Sequence, residues 1–201
     1  MIENMAIMEF RRQLVLATAS EARRHLVAEA GFEFLTDAVD IDESPRAGEE
    51  IDDYVLRLAR AKAEGAVPPG LDAVIVAVDT AIGLDGIIIG KPGDEIHARE
   101  MLRMFSGRAH VVVSAIALRD VAAASLDVEI TRTEVRFVEM TDKVIDWYID
   151  SGEWRGRAGA YAIQGKGAAL VADVRGCFTN VIGISMPTFL RMLKSVTPSV
   201  H

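Results

Sequence analysis

The amino-acid sequence predicts an α/β fold built on a mixed sheet, and three observations carry that expectation. Ala73–Val78 is an unbroken apolar run of strand length bounded by Asp72 and Asp79, the pattern of a central strand buried on both faces. Capped stretches with helical spacing separate this run from other strand-like runs, so strands and helices alternate. Asp85-Gly86 lies between two apolar pieces and is a strong hairpin-turn signal, so antiparallel pairs must accompany any parallel ones.

The elements follow in order. Gln13–Ala17 reads as a short buried strand, and Ser20 as the N-cap of a helix reaching about Ala30 and closed by Gly31. Phe32–Phe34 is expected to be a second strand, followed by a polar loop over Asp40–Glu50 that contains Pro45 and Gly48. Ile51–Ala66 has apolar positions at 51, 55, 58 and 59 and stops before Pro68-Pro69-Gly70, which predicts a helix. Asp94 caps a helix to about Phe105, ended by Gly107. Val111–Leu118 and Val128–Val138 are β-branched runs expected to pair. Thr141–Ile149 reads as helix, Ala168–Val174 as extended chain, and Met186–Leu193 as a last helix with Pro187 in its first turn.

Composition narrows the class of function. A chain of 201 residues that is 50% apolar forms one domain, or two small lobes on a shared core, and residues 1–9 are expected to be a loose tail with Met1, Met5 and Met8 as alternative starts. The net charge of -8 and an aromatic content of 6% disfavour nucleic acid as a partner, and the charge also disfavours an anionic membrane. Neither a membrane-spanning run nor a signal-peptide pattern is expected. The single Cys177 excludes a disulfide framework and a cysteine-based zinc site, and fits a reducing, cytoplasmic setting.

Several residues carry potential chemistry, each with a plainer reading beside it. Ser20-Glu21-Ala22-Arg23-Arg24 places a hydroxyl and guanidinium groups at a helix start, where orphan amides attract phosphate; the plain alternative is an N-cap with solvated arginines. Asp79-Thr80, read as lying past the carboxyl end of a central strand, offers a metal ligand or a base for water, or a turn-capping aspartate. Lys62 lies at i+7 from Val55 and i+4 from Leu58, so it continues an inward helix face, either to snorkel or to hold phosphate. Lys91 in Gly90-Lys91-Pro92, and Gln164 and Lys166 in Gln164-Gly165-Lys166-Gly167, occupy glycine-flanked loops. Glu43, after Asp40-Ile41-Asp42, is a second carboxylate for a metal or part of a solvated acidic run. A P-loop signature is absent. Together these residues suit a polyphosphate with a hard metal ion.

The arrangement resembles the Maf family of nucleotide pyrophosphatases, once known as septum-formation proteins. The resemblance rests on LVLATASEARRHLV at 14–27, VDIDE at 39–43, YVLRLARAKA at 54–63 and VAVDTAIGLDGIIIGKP at 76–92. It continues through MLRMFSGRAH at 101–110, SGEWRGRAGAYAIQGKGA at 151–168 and TNVIG at 179–183, seven segments in order over nearly the whole chain. It implies one Maf-like domain over 1–201, with a two-lobed fold related to inosine triphosphate pyrophosphatases, a central cleft and a homodimer. It also implies cleavage of a nucleoside triphosphate to the monophosphate and pyrophosphate with magnesium or manganese. By motif, Asp79 resembles the family's proton acceptor. Ser20, Arg23, Lys62 and Lys91 resemble its phosphate contacts, Glu43 an acid that helps hold metal, and Lys166 a lysine that only some members carry.

Base preference is less complete. The pyrimidine-triphosphate branch carries S-P-R-R, Asp-Thr and Ile-Gln-Gly; Thr80, Gln164 and Arg23 match it, while Glu21 and Ala22 replace the proline and the first arginine. The 7-methyl-GTP branch differs at positions 80 and 164, and a third group with S-x-A-R is closest in pattern. Loss of that arginine implies a broader substrate range. The competing class is a nucleotide-binding regulator of cell division that acts through a protein partner.

Overall fold

The computed structural model describes residues 10–197, so the expected tail at 1–9 lies outside the described residues. Seven strands form one mixed sheet, ordered β2-β1-β3-β5-β6-β7, with β4 paired to β3 off this path. The strands are β1 (Gln13–Ala17), β2 (Leu35–Thr36), β3 (Ala73–Leu84), β4 (Ile87–Ile89), β5 (Ala109–Asp120), β6 (Ser125–Phe137) and β7 (Val171–Arg175). The helices are α1 (Glu21–Glu29), α2 (Ile51–Gly65), α3 (Glu95–Phe105), α4 (Asp142–Ile149), α5 (Phe178–Ile182) and α6 (Met186–Ser195). Pairing is parallel for β1 with β2 and β3, and antiparallel elsewhere. No helix among the described residues is long and apolar enough to cross a membrane.

Strand β3 organises the core because its side chains alternate between faces. Ile75, Ala77 and Ala81 pack with Val55, Ala59 and Ala63 of α2, whereas Val74, Val76 and Val78 pack with Val27 of α1 and Phe189, Met192 and Leu193 of α6. The far end of β3, at Ile82 and Leu84, enters a third cluster with α3, α4 and the aromatic group Phe105, Phe137 and Tyr161. His110 sits inside that group, its Nε2 2.7 Å from the Tyr161 hydroxyl, and burial lowers its pKa to about 4, so the ring is neutral at pH 7.

Local chemistry accounts for most element ends. Ser20 accepts from the Arg23 amide to start α1, and Asp94 accepts from the His97 amide at 2.8 Å to start α3. Asp85 and Gly86 both take positive φ, 53° and 78°, which the tight β3–β4 turn requires. Three expectations need correction. The strand read at Phe32–Phe34 forms at Leu35–Thr36, in register with Val15 and Leu16, while Phe32 packs edge-on against Phe189. The chain read as extended over Ala168–Val174 is a 3₁₀ helix over Gly165–Leu170 and a strand from Val171; the Glu153 carboxylate accepts from the Lys166 and Gly167 amides and tightens that turn. Strand β3 runs six residues beyond the expected Val78, because Ala81–Leu84 resumes the apolar pattern and Asp79 and Thr80 pair with Ala115 and Ser114 of β5.

Arg12 joins three distant ends of the chain. Its Nη1 and Nη2 each donate to an Asp120 carboxylate oxygen at 2.7 Å, Nη1 reaches the Val196 carbonyl at 3.1 Å, and Nε donates to Asp72 at 2.9 Å. The guanidinium hydrogen bonds hold the Asp120 carboxyl down at about 2, below its ordinary 3.8. A group depressed on folding contributes stability above its unfolded pKa and loses it as pH falls toward the folded value. Asp120→Asn is expected to cost about 1–3 kcal/mol at neutral pH. The difference from the unmodified protein should shrink between about pH 4 and pH 2 in paired urea titrations.

Candidate active site

The sheet has a break in one edge. On that edge β1 pairs with β3 up to Ala17↔Ala77 and β4 resumes at Ile82↔Ile89. Among the described residues no strand covers Val78–Ala81 there, while β5 covers the other edge throughout. A cavity of about 790 Å³ opens at this break. Its walls come from the β1–α1 turn, the loop before α2, the loop after β4 and the segment around Gly156–Gln164.

Asp79 is therefore not beyond the end of its own strand, as expected, but in mid-strand at the level where its neighbour β1 ends. Its side chain points to the α2 face, at 6% exposure, and meets Lys62. Lys62 Nζ donates to Asp79 Oδ1 at 2.7 Å and to Glu43 Oε1 at 2.5 Å, so one ammonium gathers two carboxylates from segments 36 residues apart. The inward face of α2 ends in Lys62, beside buried Val55, Leu58, Ala59 and Ala63, as the spacing implied. Burial pushes the Asp79 carboxyl up, against the pull of Lys62 and Arg23. Burial also opposes ionisation of Glu43, but the hydrogen bond and charge of Lys62 outweigh it and hold that carboxyl below its ordinary value. Tyr54 lines the cavity nearby, donates to the Glu43 carbonyl at 2.9 Å, and is raised to about 12, chiefly by burial.

Thr80, one residue on, faces the opposite side. Its hydroxyl donates to the Gly183 carbonyl at 3.2 Å and accepts from Arg23 Nη2 at 3.0 Å. Arg23 Nε donates to the same carbonyl at 2.8 Å, and burial lowers the Arg23 pKa against the pull of Asp79 and Glu43. Ser20 uses its hydroxyl as the N-cap, accepting from the Arg23 amide at 3.4 Å, and lines the cavity with Ala22.

Lys91 and Gln164 line the cavity from exposed loop positions. Lys166 does not join them: its Nζ lies 5.5 Å from the centre of the Trp147 ring, and its amide is held by Glu153. Gln164 caps the 3₁₀ helix over Gly165–Leu170, whose three residues per turn carry Lys166 to another face, so Gln164 and Lys166 cannot be read as one unit. Three contributors escaped the sequence reading. Tyr54 lay within a helix with no special spacing, Arg157 stood unremarked in the matched segment 151–168, and the Gly183 carbonyl has no side-chain signal.

Gly183 is placed by α5, which Asn180 anchors. Asn180 is fully buried; its Nδ2 donates to the Val112 carbonyl and the Thr133 hydroxyl, both at 3.1 Å, and its Oδ1 accepts from Ser114. Glu43 and Asp79 are hard oxygen donors of the kind a divalent ion takes, and both already converge on one ammonium, with the second oxygen of each uncommitted among the described residues. No group of three His, Cys, Asp or Glu side chains suited to a metal occurs among the described residues, so such an ion would draw its other ligands from water and phosphate.

Comparison with known proteins gives a consistent picture. The family model for Maf-like proteins matches residues 13–196. A dTTP/UTP pyrophosphatase of Anaeromyxobacter dehalogenans (strain 2CP-1 / ATCC BAA-258) is 45% identical over 185 residues, covering 90% of this chain and 93% of that protein. Proteins of the same name from Methylococcus capsulatus and Myxococcus xanthus are 43% and 42% identical, covering 90% of this chain and 90% and 91% of their own lengths.

Asn180→Ala should remove the Asn180 partner of the buried Ser114 hydroxyl and the Val112 carbonyl at once, while the Thr133 hydroxyl keeps its bonds to the Cys177 amide and carbonyl. The expected loss is about 2–4 kcal/mol of stability, read as a lower urea midpoint with an unchanged slope.

Proposed function

The chain belongs to the Maf family, and from that premise we propose that it hydrolyses pyrimidine nucleoside triphosphates, dTTP and UTP first among them, to the monophosphate and pyrophosphate. The reaction class is that of a nucleoside-triphosphate diphosphatase, a hydrolase acting on acid anhydrides. The choice of base follows the name that these relatives carry, dTTP/UTP pyrophosphatase. The observation that carries the residue roles is the Glu43–Lys62–Asp79 cluster at the break in the sheet edge, inside a cavity that also holds Arg23 and Lys91. No observation favours the regulator that acts through a partner.

In this reading Asp79 is the base. A water oxygen adds at phosphorus of the α–β anhydride, that P–O bond breaks with its electron pair leaving on pyrophosphate, and the water proton passes to Asp79. Lys62 orients both carboxylates, and Ser20, Arg23, Lys91 and Gln164 meet the phosphates and the base. Glu43 and Asp79 would hold a divalent ion, magnesium or manganese, which when bound neutralises charge on phosphate oxygens. The proposal includes a homodimer and one Maf-like domain over the chain, which follow from the family resemblance, and a cytoplasmic setting, which follows from the single Cys177 that suits a reducing compartment.

Two outcomes are expected. Asp79→Asn should lower kcat by at least about a hundredfold, within the range that removing a positioned base commonly costs, while the circular dichroism spectrum is retained. Pyrophosphate, not orthophosphate, should appear first in a coupled assay of UTP or dTTP; a nucleoside diphosphate as the early product would refute the reaction.

Specificity gives a further expectation. Ala22 lines the cavity from the first turn of α1, where the pyrimidine branch has an arginine. A missing charge-assisted contact typically amounts to about 1.5–3 kcal/mol, roughly ten- to a hundredfold. The unmodified protein should therefore favour UTP and dTTP over GTP and ATP by a reduced margin. Ala22→Arg should widen that margin, measured as ratios of kcat/KM for the four triphosphates.

A further inference from the structure

The cations of the cavity divide into two kinds. Lys62 is already neutralised by Glu43 and Asp79, and Arg23 is committed to Thr80 and the Gly183 carbonyl. The remaining two lining cations, Lys91 and Arg157, are exposed and carry no side-chain hydrogen bond or ion pair among the described residues. A triphosphate brings several negative charges into a protein whose net charge is -8. Binding it through Lys62 or Arg23 alone would compete with bonds those side chains already make. Lys91 and Arg157 can meet it without breaking any.

The two loops that bear them are joined. The Gly159 amide donates to the Gly90 carbonyl at 2.9 Å, so the residue next to Lys91 is tied to a residue two positions from Arg157. Gly159 has φ 67°, and a Cβ there would lie 2.8 Å from Ile82 Cδ1 and 3.2 Å from Phe105 Cε2, so this junction is seated directly on the β3 edge and the aromatic cluster. The loops that carry the pair of cations are thus tied to each other and packed on the core, while both side chains are exposed.

We propose that Arg157, paired with Lys91, binds the terminal phosphates of the substrate, and that the same pair holds inorganic pyrophosphate after cleavage. The inference rests on the pyrophosphatase reading and adds to it a residue with a defined ligand, a diphosphate anion. A guanidinium suits this role because its fork meets two phosphate oxygens at once, which an ammonium cannot do. The neighbouring Arg155 is a built-in control: it lies in the same segment, but its guanidinium stacks on the Trp154 ring at 4.8 Å and does not line the cavity.

The test is calorimetric titration of inorganic pyrophosphate into the full chain in magnesium buffer, alongside steady-state hydrolysis of UTP. Arg157→Ala is expected to raise the pyrophosphate Kd and the UTP KM together, each about tenfold, with kcat changed far less, because the contact is made in ground and transition states alike. Arg157→Lys should recover part of the affinity, and Arg155→Ala should leave both constants in place. Unchanged pyrophosphate affinity in a folded Arg157→Ala protein, or an equal loss in Arg155→Ala, would overturn the proposal. The unmodified protein separates the two levels: release of pyrophosphate from UTP with Arg157→Ala indistinguishable from it sinks this inference alone, whereas no pyrophosphate from either UTP or dTTP sinks the reaction beneath it.

Discussion

One ammonium group sets the geometry of the candidate site. Lys62 reaches both Glu43 and Asp79 from the buried end of α2, and neither carboxylate has another cation within hydrogen-bond distance among the described residues. Two carboxylates drawn into a half-buried space repel each other and lose hydration, and the ammonium between them offsets both effects. The loop that carries Glu43 has few other anchors at that end, chiefly the Tyr54 hydroxyl on the Glu43 carbonyl and Arg57 on the Ser44 carbonyl. The cluster consequently holds a loop, a helix and a strand in one relation, and the role proposed for Asp79 depends on that relation.

The break in the sheet edge explains why a strand residue can be reached at all. A residue in the middle of a long central strand is normally flanked on both sides by other strands. Here β1 leaves the sheet at Ala17 to enter α1, and β4 returns only at Ile82, which exposes the edge beside Asp79 and Thr80 to the cavity. Alternation along β3 then separates the two side chains: Asp79 goes to the α2 face and Thr80 to the α1 and α5 face. One short strand segment thereby serves both walls of the site.

Charge is distributed to the same end. The net charge of -8 would repel a nucleotide, yet four cations line the cavity, two tied into the structure and two free to meet a ligand. The tied pair defines shape, because Lys62 gathers Glu43 and Asp79 on one wall while Arg23, with Thr80, converges on the Gly183 carbonyl at the end of α5. The Asn180 network beneath it is closed to solvent, so the position of that carbonyl is transmitted from the core of β5 and β6 and not from the surface.

Much was legible in the sequence itself. The caps at Ser20 and Asp94, the Asp85-Gly86 turn, the buried strand from Ala73 and the inward face of α2 ending at Lys62 all follow from rules that act within a few residues, and the structure bears them out. Local pattern states which face a side chain takes and where an element starts. What it cannot state is which distant element lies opposite. That Arg23 would share a carbonyl with Thr80, 57 residues away, and that this carbonyl would belong to Gly183, 160 residues from Arg23, came only from the tertiary structure. So did the mid-strand position of Asp79, the turning of Lys166 toward Trp147, and the entry of Arg157 into the cavity wall. The physical reason is common to all of them: periodicity is a property of one segment, whereas a site is made where the order of strands in the sheet brings separate segments together.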